Sequence, residues 1–332
     1  MPLDLDPHPS TLAPHALPGR GRPCIVIGLL NNMPDPALEA TENQFAALLG
    51  AAAGSHSVRL RLSYLPEVPR GPAALEHIER SYWRIEELLR QPPDALIVTG
   101  TEPRAPSLCD EPYWGRFVEV LQWAERHTIS SIWSCLAAHA AVQLLDGISR
   151  QRLPHKRFGV FEHQLRAGEP LVAGLTAPLL MPHSRWNDIP IEQLRRSGYR
   201  LLSWSEDSGA DFFVKQRNSL FCFFQGHPEY ERTTLFREYR RDVGRYLSGQ
   251  QANYPPLPPR YLSAAASEAL RTFERRAMAQ RDPQLFTQFP AGAADGAQSG
   301  WQGAAAGIYG NWLAHVAAVK SASAGAPRSA QV

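Results

Sequence analysis

Ile129-Ser130-Ser131-Ile132-Trp133-Ser134-Cys135-Leu136-Ala137-Ala138-His139 is a β-rich run that stops at a cysteine and passes at once into small residues at helical spacing. A strand–nucleophile–helix turn is written in this way. The thiol stands at the strand's carboxyl end, where backbone N–H groups and the positive end of the next helix stabilise a thiolate. The same letters also describe one more buried structural cysteine, so the surrounding chain has to decide.

Upstream, Asp94-Ala95-Leu96-Ile97-Val98-Thr99-Gly100 is a continuous apolar run that ends in glycine, and Cys24-Ile25-Val26-Ile27-Gly28-Leu29-Leu30 is another. Both suit buried parallel strands. The first leads to Asn31 to Pro36, with Asp35 as a helix N-cap and Pro36 at the first helical position, and then to Leu38, Phe45, Leu48 and Leu49 at helical spacing. Val58, Leu60, Leu62 and Tyr64 alternate with polar residues, which reads as a half-exposed strand at a sheet edge. Helices follow at Tyr82 to Leu89 and Tyr113 to His127. Strand–helix alternation predicts a doubly wound, mostly parallel α/β sheet flanked by helices, in which the loop after Gly100 lies beside the Cys135 turn.

From Phe158 the texture changes to short strands, including Leu179 to Met181, Tyr199 to Trp204, and a hairpin of Asp211 to Val214 with Ser219 to Phe224. A helix spans about Thr233 to Leu247. After the proline-rich Asn253 to Pro259 come an Ala/Arg helix to about Gln280, a small and flexible Ala291 to Gly300, and an apolar helical segment, Ile308 to Val319. The expected organisation is a disordered leader over 1–22, an α/β domain over 23–250, a helical extension packed on it over 251–319, and a disordered tail over 320–332.

A chain of 332 residues can bury a substantial core, and 44% hydrophobic with 20% charged residues is ordinary for a globular protein. A formal charge of +2 gives no broad footprint for nucleic acid, so the expected partners are small molecules. The four cysteines lie far apart, no run has transmembrane length, and no signal-peptide pattern opens the chain, which reads as reducing and cytoplasmic.

A thiol nucleophile needs a base that later serves as an acid. Among eleven histidines, His227 stands just after an apolar strand, and Pro228 favours extended backbone there. Extended backbone puts residues i and i+2 on one face, so Glu229 can orient His227 in a Cys135–His227–Glu229 triad. His139, one helical turn beyond Cys135, is a rival base placed beside the thiol rather than over a substrate. Arg185, in a loop after a short strand, and Arg104, in the loop after Gly100, are candidate anion-handling groups, though solvated loop arginines look the same. Arg241 falls off the apolar arc of its helix. No phosphate loop or metal-ligand cluster appears.

The Cys135 turn, Gly159 to His163, Pro182 to Arg185, and Gly226-His227-Pro228-Glu229-Tyr230 with Thr234-Leu235 and Arg241 downstream form a linked set. The set resembles the homoserine O-acyltransferases of methionine biosynthesis, usually called homoserine O-succinyltransferases, whose flavodoxin-like fold resembles class I glutamine amidotransferases. The similarity runs from about Ile25 to Asn253, with a thinner match near Asn311 to Leu313. It implies that Cys135 takes an acyl group from acyl-CoA as a thioester, with no bound cofactor, and that His227, oriented by Glu229, deprotonates the homoserine hydroxyl. It further implies Arg241, Ser184 and Arg185 at the amino acid substrate, backbone N–H groups of Leu136 and of the loop at Gly100 as oxyanion donors, and a possible homodimer.

Three departures from the family pattern stand out. Leu136 and Ala137 replace its usual tryptophan and glycine, and Asp35-Pro36 replaces paired lysines. Arg104 occupies the position where glycine goes with succinyl and glutamate with acetyl, and an arginine there favours a succinyl carboxylate. Acetyl transfer, L-serine as acceptor, and a glutaminase-like hydrolase are the competing expectations.

Overall fold

Apolar four- to seven-residue runs, too short for helices and bounded by polar loops, stack here into a sheet covered on both faces. The computed structural model describes residues 3–6 and 24–325. In chain order the first half contains β1 (Leu3–Leu5), β2 (Cys24–Leu30), α1 (Leu38–Ala52), β3 (Ser57–Ser63), α2 (Pro72–Ser81), α3 (Ile85–Arg90), β4 (Ala95–Val98), α4 (Trp114–His127), β5 (Ser130–Ser134) and α5 (Leu136–Asp146). The second half contains β6 (Gln151–Leu165), β7 (Leu179–Asp188), α6 (Ile191–Arg196), β8 (Arg200–Leu201), β9 (Ser203–Ser205), β10 (Gly209–Ala210), β11 (Phe212–Gln216), β12 (Leu220–Phe224), α7 (Thr234–Leu247), α8 (Ala264–Ala279) and α9 (Gln302–Gly325).

The main sheet runs β1-β3-β2-β4-β5-β12-β11-β8. Its first six strands are mutually parallel, β11 is antiparallel to β12, and β8 closes that edge antiparallel to β11. Side chains alternate between faces: Ile97 and Ile132 join the core under α1 and α9, while Leu96, Val98 and Trp133 join the core under α4 and α5. The expected doubly wound sheet is therefore the fold.

One pairing matters most for function. β5 lies between β4 and β12, with Ser134 opposite Phe224 and Trp133 opposite Val98. The chain leaving β5 at Cys135 is thereby flanked by the segment leaving β12 toward His227 and by the segment leaving β4 through Gly100. Ligands bind at such carboxyl-end crevices. A second sheet, β10-β9-β6-β7, is antiparallel, and its β7 meets the segment leaving β12 where Pro182 O accepts the His227 N–H. α7 and α8 pack against it through Phe158, Val160, Leu235, Tyr239 and Leu270.

The last helix of the extension, α9, is part of the main core. Ile308, Tyr309, Trp312, Leu313 and Val316 of α9 are fully buried with α1 and β2. At about 2 kcal/mol for each large side chain, an upper estimate, their burial contributes on the order of 10 kcal/mol, comparable to a whole domain's net stability.

Several local expectations change. Residues 3–5, assigned to a leader, form β1 beside β3, and Asp6 pairs with Arg61 at 2.7 Å, so β3 is not the edge. The remainder of the expected leader lies outside the described residues. The helix expected at Tyr82–Leu89 begins only at Ile85, as α3, because Tyr82 and Trp83 turn inward into the core, and a separate helix, α2, occupies the connection before them. Asp35 does not N-cap α1; it accepts the Gly71 N–H at 2.7 Å, tying two loops together. Ala291 to Gly296, within the small-residue stretch, forms a 3-10 segment with Ala293 buried. The expected tail stays helical to Gly325, and residues 326–332 lie outside the described residues. No described helix is long and apolar enough to cross a membrane.

Candidate active site

Cys135 adopts φ 53° and ψ −113°, a left-handed conformation that non-glycine residues rarely take. Three hydrogen bonds hold it there: its N–H donates to Phe224 O at 2.7 Å, and its C=O accepts from Ala138 N at 3.0 Å and His139 N at 3.3 Å to start α5. The sharp reversal lifts the side chain out of the sheet, where it is partly exposed. The Leu136 N–H is the first of a helix and has no intrahelical acceptor. A Cβ on Gly100 would stand 2.7 Å from Leu136 Cβ and 3.0 Å from Leu136 N, so the β4 loop touches the helix start only because residue 100 is glycine. Leu136 and Gly100, the two expected oxyanion positions, thus lie in contact.

His227 and Glu229 are buried at the end of β12. His227 N–H donates to Pro182 O at 2.8 Å, and His227 Nδ1 lies 2.8 Å from Glu229 Oε1. The carboxylate makes Nδ1 the donor, which turns Nε2 toward Cys135 as the free face. Nε2 is buried without an aligned partner, within reach of the thiol. Burial alone would push this imidazole's pKa down, but the Glu229 charge and Cys135 outweigh it and hold the pKa well above the ordinary histidine value. The Tyr230 ring stacks on His227 with centroids 4.2 Å apart.

His139 has a different environment. It is 3% exposed, and burial with the Arg185 and Arg150 charges pushes its pKa down to about 3. It stays neutral beneath the elbow, without a carboxylate to orient it.

Arg185 is not in a loop. β7 runs on through it, paired with Arg157 of β6, so a residue expected after a strand stands inside one. Its Nε–H donates to His183 Nδ1 at 3.3 Å, Nη1–H to Asn187 O at 2.6 Å, and Nη2–H to Ser208 O, with Asp188 3.0 Å from Nη1. All three nitrogens are engaged with the protein, and its charge lies within electrostatic reach of Cys135.

Among the described residues, His163, His183 and Asp211 place ligand atoms close enough to hold a metal ion. Their wiring argues for a different use. Arg185 donates to His183 Nδ1, so His183 Nε2 carries the proton and donates to His163 Nε2, 3.2 Å away. His163 Nδ1–H then donates to Phe161 O at 3.2 Å. A metal on His183 Nε2 would demand that proton while Arg185 still occupied Nδ1. Asp211 is also engaged, accepting Gly226 N–H at 2.8 Å and Ser203 O–H at 3.1 Å. A Cβ on Gly226 would lie 2.6 Å from Asp211 Oδ1, so glycine is required immediately before His227.

Beyond Tyr230 lies a cluster of charges. Tyr230 O–H and Ser184 O–H each donate to Glu238 at 2.5 Å. Lys156 Nζ is 2.9 Å from Asp242 and 3.4 Å from Glu238. Arg241 Nε–H donates to Asp242 at 2.9 Å, and its Nη2 is 3.7 Å from Glu238. Burial would raise the Glu238 pKa, but Lys156, Ser184, Tyr230 and Arg241 together hold it below the usual carboxylate range. Arg241 and Ser184 are therefore brought together, with Arg241 half-exposed as its helical position implies. Lys156, Tyr230, Glu238 and Asp242 were missed. Lys156 was detectable by strand period, two and four residues before Phe158 and Val160 of the buried face, and Asp242 by its spacing of three from Tyr239 and four from Tyr246.

On the opposite flank, Arg104 is exposed, while its backbone N–H and that of Ala105 donate to buried Glu111 Oε1 at 2.6 and 2.8 Å.

Comparison with known proteins adds to this geometry. The homoserine O-succinyltransferase family model matches residues 15–322. The chain belongs to the homoserine O-succinyltransferase family. It is 47% identical over 294 residues to the homoserine O-succinyltransferase of Rhodopseudomonas palustris, covering 88% of each chain. It is also 47% identical to that of Methylorubrum extorquens, covering 87% of this chain and 86% of the other. With the relative from Allochromatium vinosum it shares 39% identity over 86% of this chain and 81% of the other. A glutamine amidotransferase from Methylobacillus flagellatus superposes with a TM-score of 0.51 at 18% identity, covering 88% of this chain and 94% of that one, which shows the shared fold. Membership makes this chain an acyltransferase, with small-molecule substrates and an acyl-CoA co-substrate as the family's chemistry.

Proposed function

We propose that this acyltransferase moves a succinyl group from succinyl-CoA to the homoserine hydroxyl through a thioester on Cys135, as a cytoplasmic enzyme of methionine biosynthesis. The observation that carries the reading is the meeting of the Cys135 elbow, the His227–Glu229 pair and the balanced charge cluster beyond the carboxyl ends of β5 and β12. In the first half-reaction the Cys135 sulfur attacks the donor's carbonyl carbon, the oxyanion forms at the N–H groups near Leu136 and Gly100, and the CoA thiolate departs with the proton held by His227. In the second, His227 Nε2 takes the homoserine hydroxyl proton, the oxygen attacks the thioester, and the Cys135 sulfur leaves. Glu229 holds the imidazole and stabilises its charged form.

An amino acid is a zwitterion, and the cluster offers both signs. Lys156 and Arg241 suit its carboxylate, while Glu238 and Asp242 suit its ammonium. Arg185, with its donors engaged, contributes a fixed positive charge behind the thiol rather than a grip on substrate. A homodimer carries over from the family resemblance as part of the same proposal.

Intact-mass spectrometry tests the reading. Succinyl-CoA should add one succinyl group to Cys135, and homoserine should remove it as O-succinylhomoserine. No adduct from succinyl-CoA or acetyl-CoA, together with hydrolysis of glutamine, would overturn it in favour of an amidotransferase-like hydrolase. An adduct discharged by serine but not homoserine would change the acceptor.

A further inference from the structure

Arg150 stands in the short connection between α5 and β6, behind buried Ile148. Its Nη1 is buried and has no hydrogen-bond partner. Among the described residues Arg150 makes no direct ion pair, yet its charge lies within electrostatic reach of Cys135, His139, Tyr113 and Glu111. Tyr113, at the start of α4, is 7% exposed, and its hydroxyl is also buried without a partner. Two orphaned polar groups from different elements thus lie within electrostatic reach of one another, and the Arg150 charge also reaches Cys135. Buried donors are nearly always satisfied, so a pair left open, one of them within electrostatic reach of the thiol, marks a place for an acceptor that arrives with a ligand.

Glu111 does not fill that place. One of its oxygens is engaged by the Arg104 and Ala105 N–H groups, which fixes the carboxylate against the β4–α4 loop. Arg152, nearby, is turned onto the Trp186 ring with its guanidinium 4.5 Å from the centroid. Arg104 is exposed on the same loop. Among the described residues, Arg150 combines a half-buried guanidinium, an open buried donor and reach to Cys135.

We propose that Arg150, assisted by the Tyr113 hydroxyl, binds the terminal carboxylate of the acyl group while that group is carried on Cys135. A dicarboxylic acyl chain would satisfy both orphaned donors, whereas an acetyl group would leave them unmet. A site built to bond a charged group rejects the analogue that lacks it. This inference rests on the thioester reading above and transfers the role of succinyl recognition from Arg104 to Arg150.

The test is the rate of Cys135 acylation in the full-length protein, measured separately with succinyl-CoA and acetyl-CoA. Arg150→Met should lower kcat/KM for succinyl transfer by roughly 100-fold and change acetyl transfer by less than about 3-fold. Tyr113→Phe should produce the same selective loss at about 5-fold, and Arg150→Lys should restore part of the succinyl rate. If Arg150→Met does not fold, the two conservative variants carry the test. Equal losses with both donors, or an unchanged donor ratio in folded variants, would overturn the assignment. Absence of any adduct on the wild-type protein would instead refute the thioester reading.

Discussion

The two flanks of Cys135 are finished to different degrees. On the Ser184 side, Lys156, Glu238, Arg241 and Asp242 pair with one another, and Tyr230 and Ser184 complete the network. On the Tyr113 side, a guanidinium nitrogen and a phenol are buried with nothing to bond. A zwitterion can enter a paired network by exchanging partners, because the sum of charges it meets is near zero. An acyl chain ending in a carboxylate needs the opposite: a cation not already neutralised. The contrast fits one enzyme that handles an amino acid on one flank and a dicarboxylic acyl group on the other.

Both flanks converge on the elbow, so the largest effect should come from removing what they share. Cys135→Ala should lower turnover by roughly four orders of magnitude or more and abolish the covalent adduct with every donor. Its melting temperature should change little, since alanine keeps the Cβ that the positive φ strains and only the partly exposed sulfur is lost. Residual turnover near the wild-type rate would mean that the two flanks serve something other than a shared thioester.

Glu229→Gln comes next, with an expected loss of about 10³- to 10⁴-fold in turnover, because the imidazole loses the group that fixes its tautomer. The same substitution tests the pH behaviour. His227 has a folded pKa raised well above its unfolded value of about 6.5. Its pairing therefore stabilises the fold fully below about pH 6.5, and the stabilisation is lost as pH rises through the folded pKa. Thermal melts should show the wild type ahead of Glu229→Gln by about 3 kcal/mol at pH 6, with the gap narrowing as pH rises. A gap that widens with pH would contradict the ion-pair reading.

Lys156→Met separates the flanks. It should raise KM for homoserine by roughly 10- to 100-fold through the unbalanced Glu238 and Asp242, while succinylation of Cys135 by the donor alone proceeds within about 3-fold of the wild-type rate. Equal damage to both half-reactions would place Lys156 at the shared centre instead.

What could be read in advance follows the range of the interactions. Buried parallel strands write themselves as continuous apolar runs, so β2, β4 and β5 were legible, as were α4 and α7 from their period. Cys135, His227 and Glu229 were legible because each sits at a strand end whose local letters differ from a core strand. The β5–β12 pairing that joins them depends on residues 90 positions apart and has no local signature. The full length of β6 and β7 was hidden for another reason: beyond the short apolar stretches at Phe158 and Leu179, their pairing carries charged residues such as Arg157 and Arg185 within the strands, which reads as loop. Arg150 is a bare charge in a connection, and only the missing partners around it set it apart.

Arg104→Glu should have the smallest effect, and its size discriminates between the two arginines on the open flank. Position 104 reverses charge by two units, so a direct contact with the acyl carboxylate would shift the succinyl-to-acetyl ratio by orders of magnitude. The Arg104 side chain is exposed, however, while its backbone holds Glu111. An exposed charge acts through water, and at physiological salt its influence fades over about 8 Å. The expected shift toward acetyl is therefore only about 3-fold, and it should shrink further when acylation is measured at 0.5 M salt (roughly a 4 Å screening length). The selective loss in Arg150→Met should persist under the same salt, because a half-buried guanidinium is screened much less. A large, salt-resistant shift at position 104 would return the acyl carboxylate to the loop and leave the buried donors of Arg150 and Tyr113 without an assigned ligand.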